Sequence, residues 1–191
     1  DFISAKMEAM KLCNEFNVKF IGYAMLHAIG KKQKVETIIC WGADALLTKF
    51  QQFLREEDDS RGICLFDHLP IPHPNRYLRD AFQERLEHEN AWHQLPNVDV
   101  IASICDGCSH LSSLCDICTG AFRYVVNEPN RDKAGKELIK LLKPLFWGKL
   151  VDGKLRPLGR GLLLRPAVVK TAAYKADYEE LQSRIFDWAN T

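Results

Sequence analysis

The stretch Gly62-Ile63-Cys64-Leu65-Phe66-Asp67 decides the fold class of this 191-residue chain. Its short apolar run is typical of a buried strand, and its carboxylate is expected to emerge where the strand ends. The following residues, 68–74, contain three prolines, which exclude a regular element because proline fixes φ and removes a backbone donor. Asp67 is therefore predicted at the carboxyl edge of a sheet, where the ligand sites of α/β folds gather.

Helices and strands alternate on both sides of this strand, which predicts an α/β fold. Two further strands are predicted over residues 18–26 and 98–104, and the sequence Val-Asp-Gly-Lys at 151–154 predicts a hairpin turn within a Gly-rich basic segment, 148–166. Apolar residues that recur with helical spacing predict helices over 2–16, 35–55 (with a break near Gly42), 76–91, 109–127, 132–146 and 167–188.

Composition narrows the class of protein. Hydrophobic residues make up 47% of the chain, which is too many for a disordered protein. No stretch reaches about 18 uncharged apolar residues, so no membrane partner is expected. The seven cysteines occur without a secretion signal, and this combination predicts reduced thiols and a cytoplasmic location.

The formal charge of +1 conceals an uneven distribution. Residues 1–130 carry a net charge of −5 and residues 176–191 a net charge of −3, whereas residues 131–175 hold 12 basic and 3 acidic side chains, net +9. A block of this kind predicts a polyanion partner, with a solvated amphipathic surface as the alternative. The residues predicted to contact nucleic acid are Lys149, Lys154, Arg156, Arg160 and Arg165.

Two aromatic residues stand in or beside the basic block, Trp147 and Tyr174. Aromatic rings in such positions stack on nucleobases in some nucleic-acid-binding proteins. Core packing is the alternative for both rings, and the sequence favours it.

Four cysteines form a C-x2-C-x6-C-x2-C pattern that could supply four thiolates to Zn²⁺: Cys105, Cys108, Cys115 and Cys118. The second pair lies in the predicted 109–127 helix. There the residues with helical spacing are Leu111, Leu114, Cys115, Cys118, Ala121, Phe122 and Val125. Both cysteines of this pair therefore also fit a buried apolar stripe, and buried thiols are the alternative to zinc.

Two carboxylates are candidates for a divalent-metal site. Asp67 follows a strand, and Asp116 lies in mid-helix, where aspartate has poor propensity. Mg²⁺ and Mn²⁺ take oxygen ligands, and two-metal nucleases use them to activate water and to stabilise the leaving oxygen. Asp106, just past the 98–104 strand, is a third candidate ligand, and His68 is a candidate for proton transfer. The alternatives are a loop cap for Asp67 and an ordinary polar helix face for Asp116.

Residues 106–124, Asp-Gly-Cys-Ser-His-Leu-Ser-Ser-Leu-Cys-Asp-Ile-Cys-Thr-Gly-Ala-Phe-Arg-Tyr, resemble the C-terminal motif of a bacterial and phage family of RNase H-like proteins catalogued as domain of unknown function 3800. Residues 62–67 are similar to that family's central strand ending in Asp. The resemblance covers residues 1–128. It implies an RNase H-like central mixed sheet flanked by helices, and a metal-dependent nuclease in phage defence or a mobile element. On this mapping Asp67 and Asp116 bind the metal and Asp106 assists.

The family's opening motif, Asp-Glu-Ser-Gly on its first strand, does not occur in this sequence. Two hypotheses follow: a first strand precedes Asp1, or the chain is a catalytically inactive interaction or nucleic-acid-binding module in a larger defence complex. A zinc-stabilised nucleic-acid-binding domain is a third hypothesis. The predicted organisation is an RNase H-like core, 1–130, with a basic helical and hairpin extension, 131–191, packed on it.

Overall fold

The computed structural model describes residues 2–67, 69–86, 88–90, 93–104, 109–128 and 133–189. It is a mixed α/β structure, which confirms the predicted class at that level. Its helices and strands are α1 (Phe2–Glu15), β1 (Gly22–Met25), α2 (His27–Gly30), α3 (Val35–Glu56), β2 (Gly62–Phe66), α4 (Pro74–Leu86), β3 (Val98–Ser103), α5 (His110–Asn127), α6 (Lys133–Leu142), β4 (Lys149–Val151), β5 (Lys154–Arg156), β6 (Leu162–Arg165) and α7 (Lys175–Ala189).

The chain divides into two compact units. Unit one joins Asp1–Gly30 to Ser113–Thr191, and unit two is Lys31–Ser112. The division differs from the predicted boundary at residue 130, because β6 from the basic segment pairs in parallel with β1 near the start of the chain. In the described residues the strands pair two by two, β1 with β6, β2 with β3 and β4 with β5.

Unit one is built around an aromatic core. The rings of Phe20, Phe122 and Phe146 meet edge to face, with centroid distances of 5.2 to 5.9 Å. Such pairs contribute about 0.5–1.5 kcal/mol each beyond the apolar area that they bury. Strand β6, which was not predicted, buries Leu162, Leu163 and Leu164. Its unbroken apolar run is that of a strand covered on both faces.

Unit two contains the parallel pair β2–β3, in which Phe66 lies opposite Ser103. On one face of the pair, Cys64 packs against a cluster that includes Leu54. On the other face, alternate residues are exposed, such as Ile63 at 60%. The expectation that this strand is fully buried is therefore wrong, because only one face of the pair packs against that cluster.

Buried polar groups fix the connections of unit two. The Gln51 amide nitrogen donates to Asn97 Oδ1 at 2.6 Å, and the Asn97 backbone N–H donates to Gln51 Oε1 at 2.9 Å. The Asn97 amide also donates to Asp59 Oδ1 at 2.8 Å. These bonds join α3 to the residue that precedes β3. Similarly, the buried Arg85 of α4 forms an ion pair with Asp44 of α3.

Several helix boundaries differ from expectation, and α6 ends at Leu142 rather than at 146. Helix α3 continues through Gly42, because the buried residues that follow it, Ala43, Ala45 and Leu47, outweigh the cost of about 1 kcal/mol that glycine adds to a helix. The last helix begins at Lys175 rather than 167 and follows a short 3-10 turn, Ala172–Tyr174.

Candidate nucleic-acid interface

Strands β4 and β5 form the predicted hairpin. Its two turn residues, Asp152 and Gly153, have φ angles of 51° and 73°. Positive φ at both central positions defines the two-residue turn that matches the twist of antiparallel strands, and Asp-Gly is a favoured sequence for it. The turn prediction is therefore confirmed.

The hairpin presents its basic side chains on one face. Lys149 lies opposite Arg156, and Val151 lies opposite Lys154. Directly opposed residues share a face of the sheet, as do residues two apart along a strand. We call these four residues the basic face; all of them are exposed. Leu155, on the reverse side, packs against the core of unit one.

The charge arrangement on the basic face does not favour the hairpin itself. Directly opposed residues have Cβ atoms about 4.5–5.5 Å apart, and like charges at that distance are destabilising. Lys149 and Arg156 are such a pair. Strand pairing therefore gains nothing from this opposition.

Close backbone packing anchors the base of the hairpin. A Cβ atom at Gly148 would lie 2.7 Å from the Arg156 carbonyl oxygen, and one at Gly161 would overlap the backbone of Trp147. Gly161 N–H donates to the Trp147 carbonyl at 2.8 Å, and Trp147 N–H donates to the Phe20 carbonyl at 3.2 Å. The hairpin that carries the basic face therefore packs against the core of unit one.

The other predicted nucleic-acid contacts lie nearby in the sequence and in the same unit. The Arg160 guanidinium carbon lies 5.1 Å from the centroid of the Trp147 ring, a cation–π contact. Trp147 is only 4% exposed, so its ring packs in the core, as the sequence favours, and is not available for stacking. Tyr174 is half-buried. Arg165 is the exposed last residue of β6.

The hydroxyl of Tyr23 has an unusual environment that the sequence did not predict. The Tyr23 hydroxyl is buried and has no hydrogen-bond partner in the described part of the chain. Burial raises the pKa of Tyr23, and the charge of Arg165 opposes that shift. Nothing in the sequence distinguishes Tyr23 from an ordinary strand tyrosine.

Asp67 directly follows β2 and is exposed. The Ile104 backbone N–H donates to the Phe66 carbonyl at 2.8 Å. Strands β2 and β3 therefore end at the same edge of the pair. His68 and Asp106 lie outside the described residues, as do Cys105 and Cys108. The candidate carboxylate of unit two therefore stands at the carboxyl end of a parallel strand pair.

Asp116 lies on the exposed face of α5 in unit one. Helix α5 begins directly after Ser109, whose side-chain oxygen accepts a hydrogen bond from the Leu111 backbone N–H at 3.1 Å. One turn after Asp116, Gly120 is also exposed, and a Cβ atom there would meet nothing within 4 Å. Within the described ranges, no group of three or more His, Cys, Asp or Glu side chains is arranged to hold a metal ion.

The second cysteine pair is split between core and surface. Cys118 is buried against Cys13, whereas Cys115 and Leu111 are exposed. The expectation that both cysteines share one buried stripe is wrong, because the buried side of α5 turns through Cys118, Ala121, Phe122 and Val125.

Cys118 lies in the environment of a buried thiol. Burial, together with neighbouring thiols, raises the pKa of Cys118 to about 12, so its thiol stays protonated near neutral pH. Cys118 therefore fits the buried-thiol alternative.

Two concave surfaces were not predicted from the sequence. In unit one, a cavity of about 300 Å³ lies among α1, α5 and α6 and is lined by residues such as Ile117, Gly120 and Leu138. In unit two, a groove of about 400 Å³ lies between α4 and β3. A sequence signal that could have pointed to the first surface is Gly120, since a glycine in mid-helix allows close approach.

Comparisons with protein-family models, curated proteins and solved structures found no match to this chain. None of the helices in the described part of the chain has the length and apolar character needed to cross a membrane.

Proposed function

We propose that this chain binds nucleic acid through the basic face of the β4–β5 hairpin. One observation carries the proposal: Lys149, Lys154 and Arg156 share an exposed face although two of them oppose each other directly. Phosphates along a nucleic-acid backbone would neutralise these charges and release condensed counterions. The net charge of +9 over residues 131–175 adds attraction at longer range.

The test compares two charge-reversal variants with the same net charge. In the first, K149E/K154E/R156E, the basic face becomes acidic. In the second, K136E/K140E/K143E, the same number of charges is reversed on and just after α6. Fluorescence anisotropy with labelled duplex and single-stranded oligonucleotides measures the affinity at several salt concentrations.

We expect the hairpin variant to lose at least about tenfold in affinity, since about 1.4 kcal/mol corresponds to that factor and three phosphate contacts are removed. The α6 variant should lose much less. Equal losses in the two variants would mean that net charge, and not the basic face, carries the binding, and would overturn the proposal.

A metal-dependent nuclease with an RNase H-like fold is the second candidate. The observation in its favour is the exposed Asp67 at the carboxyl edge of the parallel pair β2–β3, the position at which α/β folds bind ligands. Asp67 and Asp116, with Asp106, offer the carboxylate oxygens that Mg²⁺ or Mn²⁺ prefers. In this proposal the ion would supply activated water for phosphodiester hydrolysis, and His68 would transfer a proton.

The nuclease proposal is tested by cleavage of labelled DNA and RNA with added Mg²⁺ or Mn²⁺. The variants Asp67→Asn and Asp116→Asn should each abolish cleavage while thermal unfolding stays unchanged. Asp177→Asn, at an exposed position in the first turn of α7, is the matched control. Full cleavage by either of the first two variants would argue against the assignment.

Binding without cleavage would favour the remaining alternative, an inactive RNase H-like or nucleic-acid-binding module in a larger defence complex. The basic face would then deliver that complex to nucleic acid. Free thiols at positions such as Cys40 and Cys64 suit the reducing cytoplasm in which either activity would operate.

A further inference from the structure

The hairpin and its flanks lack the groups that hold unpaired bases. Residues 148–173 contain no Phe, Trp or Tyr. Of the two aromatic residues that border this segment, Trp147 is buried under Arg160 and Tyr174 is half-buried. Proteins that bind single strands without sequence preference stack successive bases on exposed aromatic rings. The basic face can therefore contact phosphates but offers no platform for bases.

Cations held at fixed positions interact best with the nucleic acid that carries more phosphate charges per unit length. Lys154 and Arg156 are two residues apart on one strand, which separates their Cα atoms by about 6.6–6.8 Å. Lys149 stands directly across from Arg156. Duplex DNA carries one charge per about 1.7 Å of axis, against about 3.4 Å for each of its strands taken alone. The same three charges therefore meet more phosphates on a duplex.

The shape of the hairpin selects among duplexes. A two-stranded antiparallel ribbon fits the major groove of B-form DNA, which is about 12 Å wide, whereas the major groove of duplex RNA is too narrow for side chains to read. The two-residue turn at Asp152 and Gly153 keeps the tip of this ribbon narrow, and the packed glycines at its base hold it in place.

We infer that the polyanion bound by the basic face is double-stranded DNA, with the β4–β5 hairpin lying in its major groove. This inference rests on the proposed nucleic-acid binding and adds the class of duplex. Lys149, Lys154 and Arg156 contact phosphates at the groove wall.

The experiment measures fluorescence anisotropy with three labelled probes of matched length and sequence: duplex DNA, single-stranded DNA and duplex RNA. Each is titrated with the wild-type chain over a series of salt concentrations. The titrations are repeated with K149A/K154A/R156A and with the control K136A/K140A/K143A. Each single alanine variant of the hairpin is also measured, so that the result does not depend on the folding of one triple variant.

We expect the wild-type chain to bind duplex DNA about tenfold more tightly than either other probe. The slope of log affinity against log salt on duplex DNA should fall by about 2.7 in the triple hairpin variant and by about 0.9 in each single variant, since each phosphate contact contributes about 0.9. The control variant should keep most of the slope.

Two failures are distinguishable. Equal or tighter binding of single-stranded DNA or duplex RNA, or an unchanged slope in the hairpin variants, would overturn the inference while nucleic-acid binding stands. No salt-dependent binding to any of the three probes would overturn the proposed function and the inference together.

Discussion

Each of the two units has a core that is stabilised by different interactions. Unit one packs three phenylalanine rings, Phe20, Phe122 and Phe146, edge to face. In unit two a smaller apolar cluster is accompanied by buried polar pairs, of which Gln51 with Asn97 is the most complete. Apolar burial tolerates small adjustments, whereas a buried hydrogen-bond pair loses its stabilising effect when one partner is removed. The units should therefore respond differently to mutation.

The difference also affects the candidate sites. The basic face stands on the aromatic core, through Trp147 and the packed Gly161. Asp67 stands at the end of a strand pair whose second strand follows Asn97. A weakened aromatic core should disturb the proposed DNA binding, whereas a broken polar pair should disturb the surroundings of Asp67.

The largest effect should come from the aromatic core. Phe146→Ala removes a fully buried ring and is expected to lower the free energy of unfolding by about 3–5 kcal/mol, measured by urea denaturation. Phe16→Ala, at a position 79% exposed in the same unit, should change it by less than about 0.5 kcal/mol. Hydrogen exchange should locate the loss in unit one, and a loss spread equally over both units would contradict the proposed contrast.

The polar pair of unit two comes next. Asn97→Ala leaves the buried Gln51 amide without its partner and should cost about 1–3 kcal/mol, with faster hydrogen exchange at the start of β3. Asn75→Ala, at an exposed position on α4, is the control and should be nearly neutral. If the two variants unfold alike, the polar pair does not stabilise unit two.

A smaller effect should depend on pH. Burial raises the pKa of the Cys64 thiol to about 11, so the thiol ionises more readily in the unfolded chain. The stability linked to Cys64 is present below the unfolded pKa and is lost as pH rises toward the folded one. Between about pH 8 and about pH 10, Cys64→Ala should therefore lose about 1 kcal/mol less stability than wild type.

The control for this pH dependence is Cys115→Ala, which removes an exposed thiol from unit one. Its stability should fall with pH as in the wild-type chain. A Cys64→Ala profile parallel to wild type would show that the buried thiol of unit two does not contribute to alkaline unfolding.

The smallest effect should be an increase in stability. Gly120→Ala adds a methyl group where nothing lies within 4 Å and removes the backbone freedom of glycine in a helix, which should raise the free energy of unfolding by about 0.5–1 kcal/mol. Gly161→Ala, in the same unit, would collide with the Trp147 backbone and should lower it. Opposite signs at these two glycines would sharpen the account of how unit one packs.

The elements that the sequence predicted best are those with a local cause. The Asp152-Gly153 turn follows from two residues that accept positive φ, and β2 follows from its short apolar run before Asp67. The burial of Cys118 was also predictable, because helical spacing places it with Phe122. Cys115 was misjudged, since a helical stripe drawn from sequence is wider than the face that the core covers.

The sequence could not predict which strands pair when they lie far apart along the chain. The pairing of β1 with β6 joins residues 22–25 to 162–165, and no local pattern links segments so far apart. The division into units follows from that pairing. Arg85 was read only as part of a helix, and its ion pair with Asp44 depends on how α4 packs against α3.

The sequence by itself determined the α/β class, the hairpin turn, the basic block and the position of Asp67 after a strand, because propensity, periodicity and charge act over a few residues. The tertiary structure alone decided that Lys149, Lys154 and Arg156 share one exposed face over a core-bound Leu155, and that Trp147 is buried. Register and burial are set by contacts between distant segments, and their energies appear only when those segments meet.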